Sequence, residues 1–204
     1  MMKKDFGITF MVAFFTVTMF LTGVSVYEAI QTSEQAKAST EELKKANQAY
    51  ADKKAKVEQE VYAYAKNNGS PEMKSIANHC LDESTLKGIS KKFFKIAFTY
   101  GDSKSYLARR SEAKEYATPS VVANRGLFGN GTKSSAEIVD TLNISSRLEN
   151  LTVFLTSTNG NVITGKAMAQ YEMSTNGNQK TGTKTYSISY DTSLGKIVEV
   201  SELK

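Results

Sequence analysis

Residues 161–173 read NVITGKAMAQYEM, and the reading of this stretch decides the fold. Ile163, Ala167, Ala169, Tyr171 and Met173 fall on one face, opposite Thr164, Lys166, Gln170 and Glu172. That is the period of two that a half-buried strand requires. The next run repeats it, with Tyr186, Ile188 and Tyr190 alternating against Thr185, Ser187 and Ser189. Asn159-Gly160, Asn176-Gly177 and Leu194-Gly195 separate the runs, and the first two are strong hairpin dipeptides. The pattern predicts a meander of four antiparallel strands, roughly 144–157, 161–174, 182–191 and 196–203.

Upstream of about residue 135 the period becomes helical. Leu86, Ile89, Phe93, Ile96, Ala97 and Tyr100 share one face of an amphipathic helix. Ser70 caps the N-terminus of this helical region with Pro71 at the first position, and Gly101 ends it. Asp102 or Ser103 caps a second helix through about Ala117, and Thr118 with Pro119 opens a third, SVVANRGLF. GNGTK at 129–133 lacks the Walker spacing of a phosphate loop and reads as a flexible connection between the helical and strand halves. A sheet with one apolar face needs a cover, and the three helices supply it. Residues 70–204 are thus expected to form an α+β domain, with helices packed on a curved antiparallel sheet of about four strands.

The other end of the chain has a different character. From Phe6 to Tyr27 there is no charged residue, and about 20 apolar residues in a helix span a hydrocarbon core of about 30 Å. Lys3 and Lys4 precede this run, and Glu28 and Glu34 follow it. The positive-inside rule then makes 1–5 a cytoplasmic stub, 6–27 a transmembrane helix and everything after about residue 30 extracellular. A cleaved signal peptide has a shorter apolar core and a small-x-small site, and LTGV at 21–24 holds valine where a lipoprotein signal has its cysteine.

Residues 28–68 are expected to form a helical stalk, since 31–66 contain no Gly or Pro and are rich in Ala, Lys, Glu and Gln. Ala36, Leu43, Tyr50, Val57 and Tyr64 recur every seven residues, the a-position spacing of a coiled coil. Their companions at the d positions, Ser39, Ala46, Lys53 and Glu60, are mostly polar. Two readings follow: a self-association stalk, or a solvated helix whose stripe rests on another protein or on nothing.

Net charge is +5, with Lys and Glu interspersed rather than clustered, which argues against direct sequence-specific nucleic-acid binding. Cys80 is the single cysteine and His79 the single histidine, so neither an intrachain disulfide nor a structural zinc site can be assembled. Four Asn-x-Ser/Thr triplets, at Asn68, Asn130, Asn143 and Asn150, are what chance provides in a chain rich in Ser, Thr and Asn.

The order of a short stub, an apolar span, a helical stalk, then FFKIAFTYGDSKSYLARRSEAKEYATPSVV (93–122), LENLTVFLTSTNGNVITGKAMAQYEM (148–173) and GKIVEVSEL (195–203) resembles one family. It is that of the conjugative-transfer assembly proteins of Gram-positive plasmids and integrative elements, of the TcpC and PrgL type, related to the VirB-type scaffold subunit of type IV secretion systems. Some members carry two outer domains, whereas this chain has room for one. The resemblance implies a nuclear-transport-factor-two-like cone. It also implies a non-enzymatic scaffold without cofactors, a homo-oligomer whose partners are the membrane and other channel subunits. The same fold also hosts isomerases and dehydratases, so an extracellular ligand-binding, sensor-like domain or a vestigial enzyme is the alternative. No acidic residue occupies the expected inward strand positions.

Arg109 and Arg110 are the remaining candidates. Adjacent on a helix with Tyr106, Leu107, Ala113 and Tyr116, they lie about 100° apart, so at least one falls at the edge of the buried face. Either may pack its stem on the core and pair with a domain carboxylate, or face a partner.

Overall fold

The computed structural model describes the backbone of residues 4–203 and the side chains of residues 36–203. Two compact units emerge, 1–58 and 59–204. Helix α1 runs from Lys4 to Asn68. The expected membrane span at 6–27 lies outside the residues whose side chains are described. Among those that are described, no helix is long and apolar enough to cross a membrane. Along α1, Leu43, Tyr50, Val57, Val61 and Tyr64 are exposed.

Ser70 caps α2 (Pro71–Phe98) by accepting a hydrogen bond from the Met73 N–H, with Pro71 at the helix start. The N–H groups of a first turn have no helical acceptor, and a serine oxygen supplies one. The helix is a single 28-residue element, and its buried face is rotated from the expected one. Leu86, Ser90, Phe93, Phe94 and Ala97 are the buried positions of its second half. Ile89 and Ile96 lie half-buried at the margins, and Tyr100 lies beyond the helix end. The helix ends at Phe98, earlier than Gly101, because Thr99 turns extended and Tyr100 exchanges both backbone hydrogen bonds with Ser146 at 2.8 and 2.9 Å.

Helix α3 (Ser103–Ala113) carries a full capping box between Asp102 and Ser105 and stops four residues short of the expected end. The third expected helix is two single turns, α4 (Pro119–Val122) and α5 (Arg125–Phe128). They are separated at Asn124, whose side chain accepts from the Gly126 N–H. GNGTK is not a free loop. Thr132 caps a further helix, α6 (Lys133–Thr141), which packs on α3 and β1.

Strands β1 (Ile144–Asn159), β2 (Val162–Thr175), β3 (Asn178–Asp191) and β4 (Lys196–Leu203) form one antiparallel sheet in the order β1-β2-β3-β4. At the β2–β3 turn Asn176 and Gly177 both have positive φ, 50° and 82°, as a two-residue hairpin turn of the favoured twist demands. Register shifts in β1 at Leu148/Asn150 and Leu155/Ser157, and in β3–β4 at Ser189/Tyr190, are the devices that bend a sheet.

The expected apolar face is the covered one: Ile163, Ala167, Ala169, Tyr186, Ile188 and Ile197 are buried under the helices. The small β2 residues let α2 sink into the sheet. At Gly165, an added Cβ would sit 2.4 Å from Leu86 Cδ2 and 2.5 Å from the Phe154 carbonyl oxygen. Phe94 stacks edge-on against Phe93, centroids 5.3 Å apart, and lies 5.2 Å from the Tyr186 ring.

Phe94→Ala is therefore expected to destabilise this unit by about 3–5 kcal/mol, from lost burial plus the cavity left behind. Gly165→Ala should also destabilise it, because the Phe154 backbone cannot retreat as a side chain would. Outward-facing Phe154→Ser should cost less than about 1 kcal/mol. Urea denaturation followed by circular dichroism ranks the three, and a Phe154→Ser loss equal to that of Phe94→Ala would contradict the assignment of faces.

Candidate functional site

The helical end of the α+β unit is organised around two adjacent arginines. Asp102 and Ser105 fix the start of α3: the Ser105 N–H and hydroxyl reach the Asp102 carboxylate at 2.6 Å, and the Ser105 hydroxyl oxygen accepts from the Asp102 N–H at 3.1 Å. Seven residues after Asp102, the helix delivers Arg109 inward. This residue is 4% exposed. Its guanidinium lies 4.4 Å from the ring centroids of both Tyr100 and Tyr106. It donates to three backbone carbonyls, of Ala97 at 2.6 Å, Tyr106 at 3.2 Å and Phe128 at 3.4 Å. No carboxylate among the described residues pairs with it. The expected domain carboxylate is replaced by carbonyls from the last turns of α2 and α5, where helix dipoles leave partial negative charge, and by two aromatic faces.

Arg110 is half-buried and turns the other way. Its Nη2 donates to the Gly129 carbonyl at 2.6 Å, while its Nε is buried with no partner among the described residues. Gly129 sits at φ 66° with Tyr106 so close that an added Cβ would lie 2.1 Å from the hydroxyl oxygen. The glycine-rich stretch is thus held by Arg110 and Tyr106. Of the two arginines, only Arg110 keeps appreciable surface.

Beneath Arg109 a cavity of about 140 Å³ opens between the helices and the sheet. Its lining includes Phe98, Tyr100, Arg109, Ser146, Tyr171, Met173, Lys184 and Tyr186, and among the described residues no Asp or Glu. Lys184 pairs with Glu202 at 2.8 Å. Burial pushes the Tyr186 hydroxyl well above the usual tyrosine range and also raises Tyr100, against the opposing pull of Arg109. Burial lowers the Arg109 pKa, with Tyr100 and Tyr106 opposing; a guanidinium there stays charged.

His79 is exposed and Cys80 half-buried on α2. Among the described residues no three His, Cys, Asp or Glu side chains converge as metal ligands. The sequence reading did not anticipate Tyr100 and Tyr106 as the walls around Arg109. Tyr106 lies three residues before Arg109 on one helix, a spacing that pairs side chains, and was the available signal.

No protein-family model and no curated protein matches this chain. Several solved structures resemble it. A protein named TraH from the Gram-positive conjugative plasmid pIP501 superposes with a TM-score of 0.47 at 16% identity, covering 60% of this chain and 94% of that one. CagV of Helicobacter pylori, described as a VirB8 homologue of a type IV secretion system, gives 0.40 at 14% identity, covering 60% and 100%. Agrobacterium tumefaciens VirB8 gives 0.41 at 12% identity, covering 60% and 94%.

Two predictions follow from the geometry. Arg109→Ala, which orphans three carbonyls and empties the slot between two rings, should lower unfolding free energy by about 3 kcal/mol, and Arg110→Ala by about 1. Equal losses in urea titrations would overturn the division of labour between them. The second concerns pH. The Ser105 hydroxyl and then its N–H hold the Asp102 carboxyl below the usual range, and the Ser193 hydroxyl does the same for Asp191. A depressed folded-state pKa stabilises above the unfolded value, about 3.9, and that contribution fades as pH falls through the folded value. Thermal stability should thus hold from pH 7 to about 5 and decline below about 4, with a shallower decline in Asp102→Asn.

Proposed function

We propose that this chain is a non-enzymatic structural subunit of a conjugative type IV secretion system. In this reading residues 6–27 anchor it in the bacterial membrane, with 1–5 in the cytoplasm. The stalk then holds a nuclear-transport-factor-two-like cone outside, where it docks other channel subunits. The sequence resemblance to the TcpC and PrgL type supports the assignment, together with an α+β unit whose helices precede and cover a four-stranded meander. The cavity between helices and sheet presents aromatic rings and cations rather than the acid or His-Asp pair that an isomerase or dehydratase would need there.

The observation that carries the scaffold role is the stripe on α1. Leu43, Tyr50 and Tyr64 are 61, 70 and 71% exposed and Val57 is 49% exposed, at seven-residue spacing, with Ala36 in the same register and exposed. Large apolar side chains repeated at that spacing are a self-association seam when a second helix covers them. Arg110, at the rim of the α+β unit, is the better placed of the two arginines for a docking contact.

An in-frame deletion should abolish conjugative transfer while leaving DNA nicking intact; normal transfer in that strain would sink the proposal. Self-association is read separately. With Cys80 replaced by Ser and cysteine placed at Leu43 or Tyr50, oxidation of membranes holding the full chain should give covalent dimers. Monomer alone at both positions would remove the stalk from the scaffold role.

A further inference from the structure

The cavity beneath Arg109 has chemistry that the scaffold role does not use. Its lining holds a buried cation with five N–H donors, of which three meet carbonyl oxygens, the one to Phe128 at the long distance of 3.4 Å. Carbonyl dipoles and ring faces offset part of the desolvation of this charge, but they do not neutralise it, and a buried charge without a counter-ion is costly. No Asp or Glu among the described residues lines the cavity. The other cation of the lining, Lys184, is already paired with Glu202. One positive charge is therefore left without an anion.

The remaining walls are flat and aromatic. Phe98 and Tyr171 lie with ring centroids 5.0 Å apart, and Phe98 and Tyr186 6.2 Å apart. Tyr171 and Met173 line both this cavity and the groove at the β2–β3 hairpin, and Met173 is partly exposed, so the approach is taken to run past them. A volume of about 140 Å³ holds the equivalent of four or five waters at about 30 Å³ each, room for a compact body with one head group.

We propose that this cavity binds a carboxylate carried on a small, flat apolar body. The Arg109 guanidinium receives the carboxylate, and Phe98, Tyr171 and Tyr186 hold the body. A planar monoanion matches the planar guanidinium and its single uncompensated charge; a phosphate dianion would require a second free cation, which the Lys184–Glu202 pair does not leave. The carboxylate can come from a free aromatic acid or from the C-terminus of a peptide ending in an aromatic residue.

Calorimetry and saturation-transfer NMR on the full-length protein test this with benzoate, its neutral isostere benzamide, inorganic phosphate, and a tetrapeptide ending in phenylalanine, either free or amidated. Saturable binding of benzoate or of the free peptide, at least tenfold tighter than its neutral counterpart, is expected; which of the two binds tighter identifies the source. Met173→Trp, which obstructs the entrance without touching the Arg109 contacts, should remove that binding while leaving the circular dichroism and melting temperature unchanged. Arg109→Lys should weaken it at least tenfold. Equal binding of acid and amide, phosphate binding as tight as benzoate, saturable binding by none of the probes, or binding that survives Met173→Trp would each overturn the proposal.

Discussion

A guanidinium enclosed in an apolar interior has to find acceptors for its N–H groups, and Arg109 finds them in three helices at once. Its carbonyl partners belong to the ends of α2 and α5 and to α3 itself, and its faces are closed by Tyr100 and Tyr106. Hydrogen bonds to a charged group each contribute about 1.5–3 kcal/mol and depend on direction, so this one side chain constrains where three helices end relative to one another. The hinge at 99–102 follows from it. Tyr100 can wall the guanidinium only if the chain turns extended after Phe98, and that same turn lets Tyr100 pair with Ser146 at the edge of β1.

The sheet makes the complementary demand. Leu86, Phe93 and Phe94 bury themselves only because β2 offers Gly165, Ala167 and Ala169 where a strand usually carries larger residues. Small residues on the strand and large ones on the helix are a single packing solution divided between two segments, as the close packing of protein interiors requires. Buried Ser90, whose hydroxyl has no partner among the described residues, faces this interior beside Leu86 and Phe94. It is the one polar position on an otherwise apolar helix face.

The strands were legible in the sequence because alternation and turn glycines are local signals, and Tyr186, Ile188 and Ile163 declare their face at once. Helix α6 was hidden because Gly129 and Gly131 suggested looseness, while the signal that mattered was Thr132 with Ser135 three residues on, a cap. The buried face of α2 was misplaced by the apolar residues at its margins, Ile89 and Ile96, since nothing local marks Ser90 as interior. The environment of Arg109 was the least legible part: all three of its acceptors are main-chain carbonyls, which leave no trace in residue identity, and Tyr100 reaches it across a break between helices. The heptad stripe was plain from spacing alone.

The two helical turns after residue 118 bear on how the chain reaches this state. The Thr118 N–H donates to the Ile197 carbonyl, the Ile197 N–H to Tyr116, and the Asn124 side chain to Val200, so the segment 116–124 borders β4 along its free edge. These partners are about eighty positions apart, 76 for Asn124 and Val200. Contacts between segments this far apart in sequence are the non-local kind that slow folding in proteins of high contact order. Until they form, β4 offers an unpaired strand edge to any neighbouring chain. The interval between synthesis and closure is then the period in which this protein is most open to pairing with the wrong partner.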